Sequence, residues 1–228
     1  MRITAQDTLL IVAPHPDDDC IGCGGLLALY PSQCDVVLVT DGYDEAINNL
    51  AESQLRYGEF ERAMQRAGVR NSWGLHIPEH QLRQYASAFK SLELSRYTKV
   101  FVPNRYEYHA DHVAVYEIIR QLLHKQKSKA SLWEYEIWTT LRFPNFYLDI
   151  SGVVDKKKDL ILEYQSQMKS LDFVAMTLGL NAYRGLTKQM RYAEAYYCEQ
   201  EERDAKRRAF RRSVSRFLKS FFHVKNEG

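Results

Sequence analysis

The stretch that decides the fold runs from residue 8 to residue 29 and reads Thr-Leu-Leu-Ile-Val-Ala-Pro-His-Pro-Asp-Asp-Asp-Cys-Ile-Gly-Cys-Gly-Gly-Leu-Leu-Ala-Leu. Its first part, Leu9–Ala13, is an unbroken apolar run, which is typical of a strand buried on both faces of a parallel sheet. His15 and three aspartates, 17–19, follow at once, and a glycine-rich turn then leads into an apolar helix. Ligands in open α/β sheets bind just beyond the carboxyl ends of such strands, so functional residues are expected here.

The spacing of the polar residues favours a metal site. His15 and Asp18 can both reach one metal ion, and Asp17 between them can face a water molecule on that metal. A divalent cation makes neighbouring carboxylates tolerable, because like charges a few ångströms apart otherwise raise each other's pKa. The alternative is an acidic turn that only caps the helix, with Asp18 or Asp19 as the N-cap.

The chain has 228 residues, of which 45% are hydrophobic and 26% charged, a composition typical of a globular protein with one sizeable core. We predict one domain, residues 1–200, followed by a tail, residues 201–228. No apolar run approaches the roughly 20 residues that cross a membrane, and residues 1–7 lack the pattern of a secretion signal. Four cysteines do not suggest a disulfide framework, so we expect a reducing compartment, the cytoplasm.

Strand-like runs alternate with helical patterns over the first two-thirds of the chain. The predicted strands cover residues 9–13, 35–40, 72–77, 99–103, 132–141 and 146–150. The predicted helices cover residues 22–30, 45–67, 81–94, 113–124, 155–169, 171–178 and 192–222, and Gly68 is predicted to end the second of them. This alternation implies βαβ units, and hence an α/β fold with a largely parallel sheet flanked by helices.

A second polar cluster, His109-Ala110-Asp111-His112, follows the fourth predicted strand and again precedes a helix. In a parallel sheet all such junctions lie at one edge, so this cluster can meet the first one in space although about ninety residues separate them. His15, Asp18 and His112 would then supply two imidazoles and one carboxylate with a fourth position open to water, the pattern of a catalytic zinc. Iron(II) also suits such ligands.

The remaining residues of the two clusters can carry the chemistry. Water on the metal would have its pKa lowered toward about 7, and Asp17 would be the general base that takes its proton. His109, paired with Asp111 and held as imidazolium, would stabilise an oxyanion or protonate a leaving amine. The alternative is that His109 and His112 are ordinary surface histidines. Four further histidines fit no such cluster and are interpreted as structural or surface residues: His76, His80, His124 and His223.

Together these motifs resemble the LmbE-like (PIG-L) zinc-dependent de-N-acetylases, which carry a His-Pro-Asp-Asp-Glu motif and a His-x-Asp-His motif. The resemblance covers roughly residues 8–197. Further segments that resemble the family's signatures are Thr40-Asp41-Gly42, Arg56 with Glu59, Tyr164-Gln165-Ser166-Gln167 and Tyr192-Ala193-Glu194-Ala195-Tyr196. Asp19 departs from the motif, since the family usually has Glu there.

The resemblance implies a Rossmann-like fold and hydrolysis of the acetyl group from an N-acetylated amino sugar, such as an N-acetylhexosamine in a glycolipid or cell-envelope glycan. It implies that His15, Asp18 and His112 bind zinc and that Asp17 is the base, as the spacing does. Arg56 would be a substrate-pocket residue. Glu107 stands near a position where some members have a tyrosine close to the metal, so Glu107 and Tyr108 are further candidates for substrate binding.

Other interpretations remain open at this point. The enzyme could deacetylate a small thiol-glycoside or an antibiotic, or the chain could be a non-catalytic glycan- or membrane-binding module on the same fold. Cys20 and Cys23 have the spacing of a redox dithiol, although buried packing thiols are favoured. The glycine-rich turn could suggest nucleotide binding, but three aspartates would repel phosphates.

The C-terminal tail has a composition unlike the rest of the chain. Residues 203–225 carry nine Lys/Arg and one Asp, a charge of +8, which leaves 22 basic and 28 acidic residues, or −6, elsewhere. A helical apolar stripe is formed by Phe210, Val214, Phe217, Leu218, Phe221 and Phe222. Such a basic amphipathic helix can bind an anionic membrane surface; the alternative is docking on its own domain or on a sister subunit. The acidic body argues against nucleic-acid binding.

Overall fold

The apolar strands assemble into a five-stranded parallel sheet in the computed structural model, which describes residues 3–169, 171–203, 206, 207 and 210. The strands are β1 (Leu9–Ala13), β2 (Cys34–Leu38), β3 (Asn71–Gly74), β4 (Lys99–Pro103) and β5 (Ser131–Tyr135). Their order is β3-β2-β1-β4-β5, with every neighbouring pair parallel. The direction of winding therefore reverses between β1 and β4, which is where ligands bind in doubly wound sheets.

Helices cover both faces of this sheet. They are α1 (Asp18–Leu29), α2 (Leu50–Ala67), α3 (Ala110–Lys125), α4 (Val154–Ile161) and α5 (Phe173–Leu186). Alternate residues of β1 point to opposite faces, so Leu9 and Ile11 enter the core shared with α1, α2, α4 and α5. Leu10 and Val12 enter the core shared with α3. Burial on both faces explains why every residue of β1 is apolar.

A small antiparallel sheet, β6 (Phe146–Asp149) and β7 (Ala193–Tyr196), completes the domain. Its Glu194 is buried and accepts the backbone N–H groups of Gly25 and Leu26 at 2.6 and 2.9 Å. Lys157 of α4 links this sheet to α1, because its ammonium group donates to Glu194 at 2.7 Å and to the carbonyl of Ile21 at 2.8 Å. The C-terminal third of the domain thereby holds α1, the helix that begins with Asp18.

The predicted α/β class with a parallel sheet is confirmed, and α2 ends at Gly68, which has the left-handed φ of 74° that favours glycine there. The predicted helix over residues 81–94 is wrong. Residues 88–91 and 94–96 form only short 3-10 turns. The side chain of Gln126 accepts the N–H of Leu94 and donates to the carbonyl of Leu92, so tertiary hydrogen bonds replace helical ones here.

The end of the chain also differs from the prediction. Residues 193–196, predicted to be helical, form strand β7, because their side chains are buried against β6 and the core. Helical residues resume at 199. Apart from Phe210, which is exposed, the apolar stripe of the predicted amphipathic helix lies outside the described residues. Within the described part of the chain, no helix combines the length and hydropathy needed to cross a membrane.

All four cysteines are free and buried. Cys20 and Cys23 lie on α1 in the core, and burial raises the pKa of both thiols well above the usual value. A redox dithiol needs an accessible, acidic thiol, so the prediction that these residues are packing thiols is confirmed.

Candidate metal centre

The loops that follow β1 and β4 bring three ligand atoms to one point. His15 Nδ1 lies 3.2 Å from Asp18 Oδ2 and 3.2 Å from His112 Nε2, and Asp18 Oδ2 lies 3.1 Å from His112 Nε2. Ligand atoms held about 2.1 Å from a tetrahedral zinc are roughly 3.4 Å apart, so this triangle matches a single ion. All three residues are buried.

The chemistry of these three donors fits a divalent metal. Two imidazole nitrogens facing each other at 3.2 Å, beside a carboxylate oxygen, are the donor set that zinc prefers in catalytic sites. A wider group, formed by the ring nitrogens of His15, His109 and His112, spans up to 4.8 Å. The triangle of His15, Asp18 and His112 is tighter and closer to the dimensions of one tetrahedral ion, and the His109 ring lies beside it, 4.7 Å from the His15 ring between centroids.

Carboxylates lie behind both histidine ligands. Nε2 of His15 faces Asp111 Oδ2 at 3.3 Å, and Nδ1 of His112 faces Glu107 Oε2 at 3.7 Å. Carboxylates in these positions orient the rings of metal-binding histidines and increase their basicity. His112 Nδ1 and Glu107 Oε2 are both buried and have no hydrogen-bond partner within the described chain. This fits a pair whose separation shortens to a hydrogen bond when the ring binds a metal.

The pKa values of the side chains in this site follow from their crowding. Burial lowers the pKa of His15, but hydrogen bonds to Asp111 and Asp18 outweigh burial and raise it to about 9. Burial also lowers the pKa of His112, and the Asp18 carboxylate raises it to about 10. Against the effect of burial, the two rings hold the pKa of Asp18 well below its usual range. A metal that binds here must therefore displace protons from the rings.

Asp17 lies next to the ligands in a strained conformation. Its φ of 112° is rare for a residue with a side chain, and such strain is concentrated at functional sites. Burial and the neighbouring Asp18 charge raise the pKa of its carboxyl well above the usual value. Asp17 is the N-cap residue of α1 but its side chain makes no capping hydrogen bond. Asp19 instead accepts the hydroxyl of Tyr164 at 2.8 Å, so the three aspartates are not a simple helix cap.

Comparison with known families gives an independent result. A family model described as PIG-L, GlcNAc-PI de-N-acetylase, matches residues 10–123, which is half of the chain and contains both histidine clusters. The chain belongs to the PIG-L family. The resemblance seen in the sequence motifs is thereby confirmed.

Solved structures share this PIG-L fold over most of the chain. A conserved protein of Thermus thermophilus is 25% identical with a TM-score of 0.69, covering 85% of this chain and 95% of its own. The N,N'-diacetylchitobiose deacetylase of Pyrococcus horikoshii is 22% identical with a TM-score of 0.67, covering 84% and 83%. The 4-carboxy-2-hydroxymuconate hydratase of Pseudomonas putida is 17% identical with a TM-score of 0.69, covering 85% and 96%. A hydratase on this fold means that the fold alone does not set the reaction.

The predicted pairing of His109 with the Asp111 carboxylate is not what this PIG-L structure has. Asp111 Oδ2 is turned toward His15 and also accepts the backbone N–H of His80 at 3.0 Å. His109 Nδ1 instead accepts the backbone N–H of Asp111 at 3.3 Å, which places the ring proton on Nε2. Burial and the positive charges of His15 and His112 lower the pKa of His109. His109 is therefore a neutral Nε2–H donor in this arrangement.

The predicted substrate-binding residues occupy three different places in the PIG-L site. Glu107 is fully buried behind His112, where its Oε1 accepts the N–H of Thr139 at 3.0 Å, so its position is that of a support for the metal ligand. Tyr108, which precedes His109, is 74% exposed. Arg56 is almost buried beside Glu79, and its Nε has no hydrogen-bond partner within the described chain.

Two residues after β3 belong to the PIG-L site although the sequence interpretation missed them. Glu79 Oε1 lies 3.5 Å from His15 Nε2 and 3.7 Å from Arg56 Nη1. His80, interpreted from sequence as a structural or surface residue, has a positive φ of 64° and its ring stacks on His109 with a centroid distance of 6.2 Å. Their place just after a parallel strand was the sequence feature that could have indicated them.

Proposed function

We propose that this protein is a metal-dependent hydrolase that removes the acetyl group from an N-acetylated amino sugar. The observation that carries the proposal is the triangle of His15, Asp18 and His112 with the Asp17 carboxyl beside it. Membership of a family described as a de-N-acetylase supports the same reaction, as does the likeness to a chitobiose deacetylase. The proposed substrate is an N-acetylhexosamine within a glycolipid or a cell-envelope glycan.

The residues around the triangle have distinct roles in this reaction. Zinc, or iron(II), bound by His15, Asp18 and His112 would lower the pKa of a water molecule toward about 7 and polarise the amide carbonyl. Asp17 takes a proton from the attacking water on its carboxylate and later delivers it to the departing amine. The Nε2–H of His109 donates to the amide oxygen as negative charge develops there. Arg56 and Tyr108 bind hydroxyl groups of the sugar.

The proposal is tested by measuring acetate and free amine after incubation of the zinc-loaded protein with N-acetylglucosamine and N,N'-diacetylchitobiose. Acetate release that is lost after chelation, restored by zinc and absent from a His112→Ala variant is the expected result. Release that persists at full rate in the thoroughly chelated protein would exclude a metal-dependent mechanism. Absence of release from every N-acetylated sugar tried would exclude the deacetylase itself.

The same assay separates the remaining alternatives. A deacetylase for small thiol-glycosides or antibiotics would release acetate from those compounds and not from the hexosamine series. A non-catalytic glycan- or membrane-binding module would bind sugars or vesicles without releasing acetate from any compound. The intact set of ligands and their supporting carboxylates argues against this second alternative, since binding alone needs neither Asp17 nor the open metal position.

The basic tail extends the proposal to a location. Residues 203–225, with a charge of +8, would attach the domain formed by residues 1–200 to an anionic membrane surface at its cytoplasmic side. Co-sedimentation with vesicles containing anionic lipid, measured for the full chain and for a chain ending at residue 202, tests this. Binding that depends on the tail is expected, and equal binding by both chains would contradict it.

A further inference from the structure

A groove of about 860 Å³ is lined by the loops that follow β4 and β5, together with Tyr197 and Glu202, which follow β7. Because β5 lies next to β4 in the sheet, these two loops share the edge that carries the metal ligands. Thr139 lines the groove, and its N–H donates to Glu107, whose other oxygen faces the metal ligand His112. A single side chain therefore separates the wall of the groove from the metal centre.

The groove and its rim carry an unusual share of exposed aromatic rings. Of the seven exposed aromatic side chains among the described residues, four lie on these two loops: Tyr106, Tyr108, Trp138 and Phe143. Tyr106 and Phe143 line the groove itself and are 74% and 73% exposed. Tyr108 and Trp138, on the same two loops, form a second aromatic pair whose ring centroids are 6.4 Å apart. Clustered exposed apolar groups mark binding surfaces.

The polar groups of the groove limit which class of ligand can bind there. The Arg142 guanidinium lies over the Phe143 ring at 5.1 Å and forms no ion pair with a carboxylate in the described chain. Arg105, in contrast, is neutralised by two close contacts with the Glu134 carboxylate. Further hydrogen-bonding groups in the lining are those of Thr139, Thr140, Asn145, Tyr197 and Glu202. The groove thus combines flat apolar faces with hydrogen-bonding groups at their edges.

We infer that this groove binds the sugar units next to the N-acetylated sugar, so that the substrate is an oligosaccharide or a longer glycan. A pyranose ring has a flat apolar face and a rim of hydroxyl groups, which matches aromatic rings bordered by Arg142 and the threonines. A lipid acyl chain would cover the rings but leave these polar groups desolvated without partners. The inference rests on the proposed deacetylase function.

The opposite side of the metal centre offers less room for a long substrate. There the guanidinium of Arg56 packs against Gly42, so closely that a Cβ at Gly42 would lie 2.1 Å from it. Glu79 lies between Arg56 and His15. In our proposal, a chain of sugars extending from the metal centre therefore follows the groove between the β4 and β5 loops.

The kinetic test compares kcat/KM for N-acetylglucosamine and for its β-1,4-linked dimer, trimer and tetramer. We expect the trimer to exceed the monomer by about tenfold, the size expected from one or two additional ring contacts. Phe143→Ala and Tyr106→Ala should bring the ratio of trimer to monomer close to one. Tyr85→Ala, which removes an exposed aromatic outside the groove, is the matched control and should keep the wild-type ratio. A ratio near one in the wild type overturns the inference.

Equilibrium binding separates the groove from the chemistry. Quenching of tryptophan fluorescence by the same oligomers, in the full chain and in Phe143→Ala, requires no turnover, and Trp138 lies at the rim. Affinity that rises with oligomer length and falls in the variant supports the groove even when no acetate is released, in which case only the deacetylase proposal fails. Octyl N-acetylglucosaminide, whose alkyl chain imitates that of a lipid, tests the groove for lipid binding. If it binds more tightly than the trimer, the assignment of the groove to sugar units is overturned.

Discussion

Asp17 combines a strained backbone with a buried carboxyl group, and it lies directly before Asp18 in the candidate metal centre. Its carbonyl accepts the N–H groups of Cys20 and Ile21, so the first turn of α1 holds the residue at a φ of 112°. This turn directs Asp18 to the rings of His15 and His112 and leaves Asp17 as a separate carboxyl group. Neighbouring aspartates with the same chemistry therefore acquire different roles through backbone geometry alone.

Replacing Asp17 with Asn is expected to abolish turnover while keeping the metal. Asn has the same shape but does not accept the proton of the attacking water, so kcat should fall by about 10²–10⁴-fold. The zinc content, measured by elemental analysis, should stay at the wild-type level because Asp17 is not one of the three ligands. Asp18→Asn is the matched control and should lose zinc and activity together. A near-normal kcat in Asp17→Asn would remove Asp17 from the role of base.

His80 supports the centre through its backbone, which gives a second prediction. Its N–H bonds Asp111, which in turn holds His15, and its φ of 64° is easy for Gly but strained for Ala. Both His80→Gly and His80→Ala remove the ring. We expect His80→Gly to bind zinc more tightly than His80→Ala, by roughly fivefold for a strain of about 1 kcal/mol, as measured by competition with a chelator. Tighter binding by the Ala variant would show that the N–H is not what supports Asp111.

At the scale of elements, α1 is the helix on which the site depends, and its glycines explain how closely it packs. Gly22, Gly24 and Gly25 lie inside α1, which begins four residues before the start predicted for this helix. A Cβ at Gly22 would lie 2.2 Å from the Tyr135 ring, and one at Gly25 would lie 2.3 Å from Ile150. The hydroxyl of Tyr135 also bonds the carbonyl of Val12 at 2.8 Å. Small residues therefore let α1 lie close enough to the sheet to bring Asp18 to the end of β1.

Gly22→Ala is expected to destabilise the protein although Ala favours helices. The new methyl group would overlap the buried Tyr135 ring, and overpacking of this kind lowers the free energy of unfolding by about 1–3 kcal/mol. Gly179→Ala in α5 is the matched control, since nothing lies within 4 Å of its Cβ position and stability should rise by about 0.5–1 kcal/mol. Urea unfolding of both variants tests this. A Gly22→Ala variant as stable as the wild type would contradict it.

At the scale of the whole molecule, buried carboxylates are paired with basic side chains around the sheet. Asp7 pairs with Lys99, and Asp35 pairs with Arg70. Each pair joins segments distant in sequence, and each needs its carboxyl ionised. The stability of the molecule should therefore depend on pH in the acid range.

Asp7 gives the corresponding prediction. Burial raises its pKa, but the hydrogen bond and charge of Lys99 outweigh burial and lower the pKa to about 2, below the roughly 3.9 of an unfolded chain. The folded state thus binds fewer protons, so this contribution is fully present above pH 4 and is lost as pH falls from about 4 toward 2. Asp7→Asn should flatten the fall in the free energy of unfolding between about pH 4 and pH 2. Parallel curves for the two proteins would refute the assignment.

Local pattern in the sequence determined the class of fold and the composition of the metal centre. Continuous apolar runs require strands buried on both faces, and the polar residues that follow β1 and β4 must meet at one edge of a parallel sheet. The convergence of His15, Asp18 and His112 could be predicted on this basis, because it follows from strand order; their roles as metal ligands, and that of Asp17 as base, stay predictions. Helical periodicity failed at residues 81–94 and 193–196, where tertiary hydrogen bonds and burial outweigh local preference.

Only the tertiary structure decided which carboxylate faces which ring and where a groove forms. Asp111 turns to His15, Glu107 lies behind His112, and His80 bonds Asp111, all through contacts between separate loops. The groove beside the centre is formed in the same way, by the loops after β4 and β5. Side-chain direction at the end of a strand depends on how neighbouring loops pack, and no period or spacing along one segment carries that information.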